Sequence, residues 1–265
     1  MLTVDYFGRT GNNLFQYVMA RLIAVKSGLK LETPWCGNDF IKATPNPDGD
    51  VVSGEVITIK DNTTMEPDLN YGQSRIHLHG YFQNARHYNE HREMIKGFFE
   101  LPKTEKNTED IVVHLRLTDY WWNRNACVIH PDWYRKIIMR EKYRKLYVVV
   151  EPHVTNKKYL SYLSDLRPEI ISGTPKSDFY FLMSFDKIVC SNSTFAWWAA
   201  FLSNAKKIYI HKKWMGLHRM SCLPLIQMME ASVVDGEFIR SRQYEDIDWT
   251  DYWKKPEEYF NGKHC

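Results

Sequence analysis

The stretch "KIVCSNSTFAWWAAFLS" (residues 187–203) changes character twice within seventeen residues. It begins as a short apolar run and breaks at Ser191, Asn192, Ser193 and Thr194. It continues as "FAWWAAFL", with Phe195, Trp198 and Leu202 near one helical face. The reading is strand, turn, helix, the repeating step of an α/β protein. Ser193 or Thr194 is suited to cap the helix, because its hydroxyl accepts a hydrogen bond from an otherwise unpaired backbone N–H. One cap needs one hydroxyl, yet this turn carries three and an amide. Beside the free N–H groups and positive dipole end of a helix, the surplus makes a cradle for a phosphate or pyrophosphate. Trp197 and Trp198 read as packing of the helix onto its sheet.

Working outward, the same alternation runs along most of the chain. "LTVDYF" (residues 2–7) alternates as a strand, "GRTGNN" (8–13) is a glycine turn, and residues 14–27 are apolar at helical spacing up to Gly28. "LKLET" (29–33) reads as the next strand, residues 36–75 as loops with short strands, and "RIHLHGYF" (75–82) as a strand. A helix is expected from about residue 85 to 99. After the polar linker at 101–110 the pattern restarts. The strand "IVVHLRL" (111–117) precedes a helix opening on Pro131 and Asp132, and further strands lie at "LYVVVEP", "EIISG", "KIVCS" and "AKKIYIH". Several of these strands are apolar throughout, as in parallel sheets covered on both faces. The expected fold is therefore α/β. It has two Rossmann-like domains, residues 1–104 and 105–265, with parallel sheets facing a cleft and an irregular tail on the second.

Bulk properties exclude more than they identify. The 265 residues are 44% hydrophobic and 25% charged, an ordinary globular balance. A net charge of +3 is too mild for nucleic-acid binding, which needs a strong basic stripe. No apolar run approaches the roughly 18 residues of a membrane span, and the start shows no secretory leader pattern. The five cysteines, Cys36, Cys127, Cys190, Cys222 and Cys265, form no CxxC pair and read as free thiols in a reducing, cytoplasmic setting. No metal is expected. His77, His79, His87 and His114 lack a convincing ligand spacing, and the "DID" at 246–248 lies in the tail.

Two further constellations carry chemistry. In "GRTGNNLFQY", glycines bring backbone close to a helix N-terminus, but two glycines three apart do not make a GxGxxG fingerprint, and a tight turn explains them equally. In "VVHLRLTDYWW" (residues 112–122), alternation puts His114, Arg116 and Thr118 on one face at the strand's C-terminal end, where open α/β sheets bind ligands. Arginine offers a planar fork of donors to phosphate oxygens at any working pH. Arg116 with the "SNST" turn makes a diphosphate clamp that needs no Walker lysine. Asp119 is the base candidate by position; an ion pair with Arg116 or Arg124 is its other reading. Asp5, Glu90 and Asp178 stand further out.

Taken in order, "GRTGNNLFQYVMARLIA", "LHGYFQNARHY", "VVHLRLTDY" and "CSNSTFAWWAAFLS…KKW" resemble the α-1,2-fucosyltransferase family, glycosyltransferase family 11, over roughly residues 4–215. The resemblance implies a GT-B fold and an inverting, metal-independent transfer of L-fucose from GDP-fucose to a hydroxyl of a glycan acceptor, with no cofactor beyond the nucleotide-sugar donor. It implies that Arg116 neutralises the leaving β-phosphate, that Ser191, Asn192, Ser193, Thr194 and the amide of Phe195 hold the diphosphate, and that His114 orients this region. Gly11, Asn12 and Asn13 would then line the donor side, and Gln16, Tyr81 and Gln83 the acceptor side. Two departures stand out. Leu117 replaces the second arginine of the family's H-x-R-R-x-D, and Val149, Val150, Glu151 and Pro152 replace its F-S-D-D, where Glu151 is left to meet ribose or base. A different donor, such as a UDP-sugar, and a non-catalytic nucleotide- or sugar-binding protein are the competing readings.

Overall fold

The computed structural model describes residues 1–46, 48–60, 70–71, 74–103, 105–122, 128–152, 157–212, 231–234, 236 and 238–239. Cys127, Cys222, Cys265, Arg124 and the tail from residue 240 onward lie outside them. The chain divides into two compact units, Met1–Thr104 with Pro224–Met229, and Glu105–Leu223 with Glu230–Cys265.

In the first unit, β1 (Leu2–Val4), β2 (Val56–Lys60) and β3 (Arg75–His79) form a parallel sheet in the order β1-β3-β2. Strand side chains alternate between faces. Leu2, Val4, Ile76 and Leu78 are buried on one face, and α1 (Thr10–Ser27) is almost wholly buried along its first four turns. The opposite face carries Thr3 and His77, and it remains half-exposed. The expectation of sheets covered on both faces therefore fails for these strands. Gly28 ends α1 in the left-handed conformation (φ 66°) that glycine adopts without a Cβ penalty. The expected strand at 29–33 is reduced to single bridges, Leu2 to Leu31 and Leu29 to Asp50. The expected helix at 85–99 is two short ones, α2 (Arg86–Asn89) and α3 (Arg92–Lys96).

The second unit holds a six-stranded, all-parallel sheet: β4 (Ile111–His114), β6 (Leu146–Val149), β7 (Glu169–Ile171), β8 (Lys187–Val189), β9 (Lys207–His211) and β10 (Ala231–Val234). Across the sheet the order is β10-β9-β8-β4-β6-β7. From β7 the strands read 3-2-1-4-5-6 in chain order, the doubly wound arrangement of dinucleotide-binding domains. β5 (Val128–Ile129) pairs antiparallel with β11 (Phe238–Ile239) apart from this sheet.

Alternation explains how both faces are covered. Ile111, Val113, Leu115, Leu146 and Val148 pack with Trp133, Tyr134 and Ile137 of α5 (Pro131–Ile138) and with Tyr159 of α6 (Lys157–Ser161). On the other face Tyr147 meets Phe181 of α7 (Pro175–Met183), and His114 meets Phe195 of α8 (Thr194–Leu202). Trp197 and Trp198 are fully buried in α8, and Trp197 stacks on Phe201 at 4.8 Å between ring centroids. Their share in the core is large, since truncating a buried tryptophan costs about 3–5 kcal/mol. Among the described residues no helix is long and apolar enough to cross a membrane.

Candidate active site

The strand order reverses between β4 and β8, and a crevice opens at such a switch point because the two flanking connections leave to opposite sides. The residues singled out in the second unit converge there. His114 closes β4, and its Nδ1 lies 2.7 Å from Oγ of Ser191, which follows β8. Tyr120, in the short α4 (Thr118–Trp122), donates its hydroxyl to the Asn192 carbonyl at 3.0 Å. Two bonds thus tie the end of β4 and the segment after it to the segment after β8. Sequence reasoning had not singled out Tyr120; its place two residues after Thr118 carries no signal of that bond.

Arg116 sits between two carboxylates. Its Nη2 lies 2.7 Å from Asp119 Oδ1 and its Nη1 lies 2.9 Å from Glu151 Oε1, while the ring of Tyr120 lies 5.5 Å from the guanidinium carbon. Its buried Nε has no hydrogen-bond partner among the described residues. A guanidinium has five N–H donors, so this one keeps donors in reserve. Asp119 therefore takes the ion-pair position. Glu151 also accepts from the Leu117 N–H and the Thr118 hydroxyl, both at 3.0 Å. These bonds hold it against the loop after β4. Leu117, where the resembled motif carries its second arginine, is buried in the apolar cluster with Leu115.

Ser193 occupies the N-cap of α8, but its side chain makes no capping hydrogen bond. Capping therefore does not explain its hydroxyl. Ser191, Asn192 and Ser193 are all buried. Phe195 wedges between His114 and Phe179, at 5.5 and 5.3 Å between ring centroids. Burial, reinforced by the charge of Arg116, lowers the His114 pKa to about 3, so its imidazole is neutral. Beneath the turn, burial pushes the Cys190 thiol up to about 12.

The first unit gathers its own residues at the ends of β1 and β3, but largely as framework. Gln16 is fully buried: its Oε1 accepts from the Phe7 N–H at 3.2 Å, and its Nε2 donates to the Gly80 carbonyl at 3.2 Å. Asn13 donates to the Phe7 carbonyl and to Gln16, and Gln83 donates to Asn12 Oδ1 at 3.0 Å. Gly11 is buried within α1. Tyr81 is exposed and packs edge-on against Phe7 at 4.6 Å. Gly8 turns at φ 84°, where a Cβ would lie 2.4 Å from the Asn12 amide nitrogen. In the second unit, Asp178 accepts from the Gly173 N–H and is held against that turn. His77 and His79, whose sequence spacing gives no convincing metal-ligand pattern, stand with Asp5 so that three potential ligand atoms lie within 4.8 Å of one another. That third member lies 72 residues from His77 in sequence, so spacing alone does not reveal it.

Residues 65–221 match the family described as glycosyl transferase family 11. That range holds Arg116 and the Ser191–Thr194 turn but begins after Gly11–Gln16. The chain is also similar to an alpha-1,2-colitosyltransferase of Escherichia coli, 28% identical over 146 residues, covering 47% of this chain and 50% of that protein. It spans about half the length of the curated relative it matches. No solved structure matches the chain significantly.

Proposed function

The chain belongs to glycosyl transferase family 11, and on that premise we propose that it is an inverting glycosyltransferase of GT-B arrangement. It moves a sugar, L-fucose from GDP-fucose in α-1,2 linkage, onto a hydroxyl of a glycan acceptor. The observation that carries this reading is Arg116 beside the hydroxyl-rich turn at a topological switch point. The β-phosphate oxygen takes hydrogen bonds from Arg116, whose Nε is unspent, and from Ser193, whose hydroxyl is not used as a cap. The positive end of α8 adds to the same field. These groups stabilise the negative charge that builds as the anomeric C–O bond breaks, so the leaving group needs no metal.

His114 positions Ser191. With the imidazole proton on Nδ1, His114 donates to the Ser191 oxygen and leaves the serine proton for a phosphate oxygen. The acceptor oxygen bonds to the anomeric carbon on the face opposite the diphosphate, whose bridging oxygen departs with the electron pair. As the diphosphate takes up Arg116, that ion pair with Asp119 is relaxed, and Asp119 acts as the base for the acceptor proton. A cytoplasmic place of action fits the exposed free thiol of Cys36.

A second reading, prompted by the name of the Escherichia coli relative, is transfer of a colitosyl group. One experiment separates the two. GDP, UDP and ADP are compared by thermal shift, and GDP-fucose and a colitosyl donor are then assayed for transfer and slow hydrolysis. Stabilisation by GDP with turnover of GDP-fucose is expected. Turnover of the colitosyl donor alone selects the second reading, and a response to UDP alone overturns both.

A further inference from the structure

We propose that Asp5, His77 and His79 form a binding site for one divalent transition-metal ion of the zinc class, on the half-exposed face of the first unit's sheet. The backbone dictates the grouping. His77 and His79 stand two apart on β3 and so share a face. In the parallel register Thr3 lies opposite His77, and Asp5, one residue beyond Val4, follows it on the same face. Asp5 Oδ2 lies 3.2 Å from His77 Nε2 and 2.7 Å from His79 Nδ1. Ligands of a tetrahedral zinc, each about 2.0–2.2 Å from the metal, stand roughly 3.4 Å apart, so a small rotation of the exposed His79 opens the triangle to that size.

The partner behind His77 strengthens the case. The Thr3 hydroxyl lies 3.4 Å from the Ile76 carbonyl, to which it donates, and 3.0 Å from His77 Nδ1. When the hydroxyl gives its proton to the carbonyl it accepts from Nδ1–H, and that tautomer leaves the Nε2 lone pair facing the Asp5 carboxylate. Two electron-rich atoms so placed accommodate a cation between them; in the other tautomer Nε2–H donates to Asp5, and a metal displaces that proton. A metal-bound imidazole held from behind by a hydrogen bond is the usual second-shell arrangement. Side chains 46%, 30% and 54% exposed, for Asp5, His77 and His79, leave access for the ion and a fourth position for water or a ligand oxygen. Two imidazoles and one carboxylate suit zinc, cobalt or nickel better than magnesium or calcium, which take mostly oxygen ligands. The site lies on a different sheet from Arg116 and has no part in the leaving-group chemistry proposed above.

The test uses the full chain without a polyhistidine tag, stripped with chelator and dialysed. Calorimetry with Zn²⁺ is expected to give one equivalent at micromolar affinity or tighter. Co²⁺ is expected to give a visible ligand-field band without the strong near-ultraviolet thiolate band that a cysteine site shows. Asp5→Asn and His79→Gln, checked for folding by circular dichroism, are each expected to weaken binding at least tenfold. Thr3→Val, which removes only the supporting hydroxyl, is expected to weaken it about 10–100-fold. The proposal is overturned if the chain takes up no equivalent, if these variants bind as tightly as the parent, or if the thiolate band appears. It is also overturned if NMR shows the two imidazoles titrating with acid but unmoved by Zn²⁺, which makes the cation a proton.

Discussion

The molecule contains two strand-to-helix turns crowded with polar side chains, and they put those side chains to opposite uses. In the first two turns of α1, Asn13 and Gln16 turn back on the preceding backbone, closing on the Phe7 peptide and the Gly80 carbonyl, while Gln83 closes on Asn12. Ahead of α8, Ser191 meets the His114 imidazole, the Asn192 carbonyl accepts from Tyr120, and the Ser193 hydroxyl does not cap its own helix. The first turn closes on its own backbone, and the second keeps one hydroxyl out of the cap. A polar motif at a helix start is therefore read by where its hydrogen bonds go, and not by its polarity alone.

The contrast breaks first at Arg116. If the second turn serves a diphosphate, Arg116→Ala lowers transfer by about 10²–10³-fold, the usual cost of one donor lost from a charge-stabilising site. Arg116→Lys keeps the charge but loses the planar fork, and it recovers only part of the rate. Initial-rate assays beside circular dichroism check both. Near-normal transfer by a folded Arg116→Ala protein sinks the clamp.

The second test is pH. His114 is buried, with its pKa lowered to about 3. His130 is lowered to about 4, chiefly by burial; its Nδ1 accepts the Asp132 N–H that starts α5. Both titrate near 6.5 when unfolded, so between that value and the folded pKa the unfolded chain binds protons that the folded chain refuses. Stability is fully present above about pH 6.5 and falls as pH drops below it, by about 1.4 kcal/mol per unit for each group. Urea midpoints from pH 7 to 5 measure this before most carboxylates titrate. His114→Gln should remove the His114 share of the slope and leave that of His130, and a flat parent curve contradicts a neutral buried His114.

Third, the inward use of the first turn predicts that Gln16→Leu costs about 2 kcal/mol, because it strands the Phe7 N–H and the Gly80 carbonyl. Chemical denaturation measures the loss. A fall in transfer beyond the unfolded fraction, with stability intact, returns Gln16 to the acceptor side.

Much of this was legible because the second unit's strands are short, apolar and regularly interrupted, and alternation carries His114 and Arg116 to one face and Leu115 and Leu117 to the other. What sequence could not supply were the long-range partners. The bond from Tyr120 to Asn192 spans 72 positions, and so does the pairing of Asp5 with His77. Each depends on strand order, which local pattern does not encode. The first unit was read least well because a three-stranded sheet with one polar face departs from the both-faces-covered pattern that fits its neighbour.

The smallest effect is the sharpest test of the contrast, because it sets two helix caps of one unit against each other. At α7 the Thr174 hydroxyl accepts the Ser177 N–H at 3.1 Å and does what an N-cap does. Thr174→Ala therefore costs about 1 kcal/mol of stability. Ser193 holds the same position on α8 without that bond. Ser193→Ala is expected to leave stability within about 0.5 kcal/mol while raising the donor KM. Paired urea titrations and donor saturation curves read both properties on both proteins. If Ser193→Ala destabilises as Thr174→Ala does and binds donor normally, its hydroxyl is a cap after all, and the second turn is framework like the first. If only Ser193→Ala weakens donor binding, a hydroxyl that does not cap its helix has been separated from one that does by function as well as by geometry.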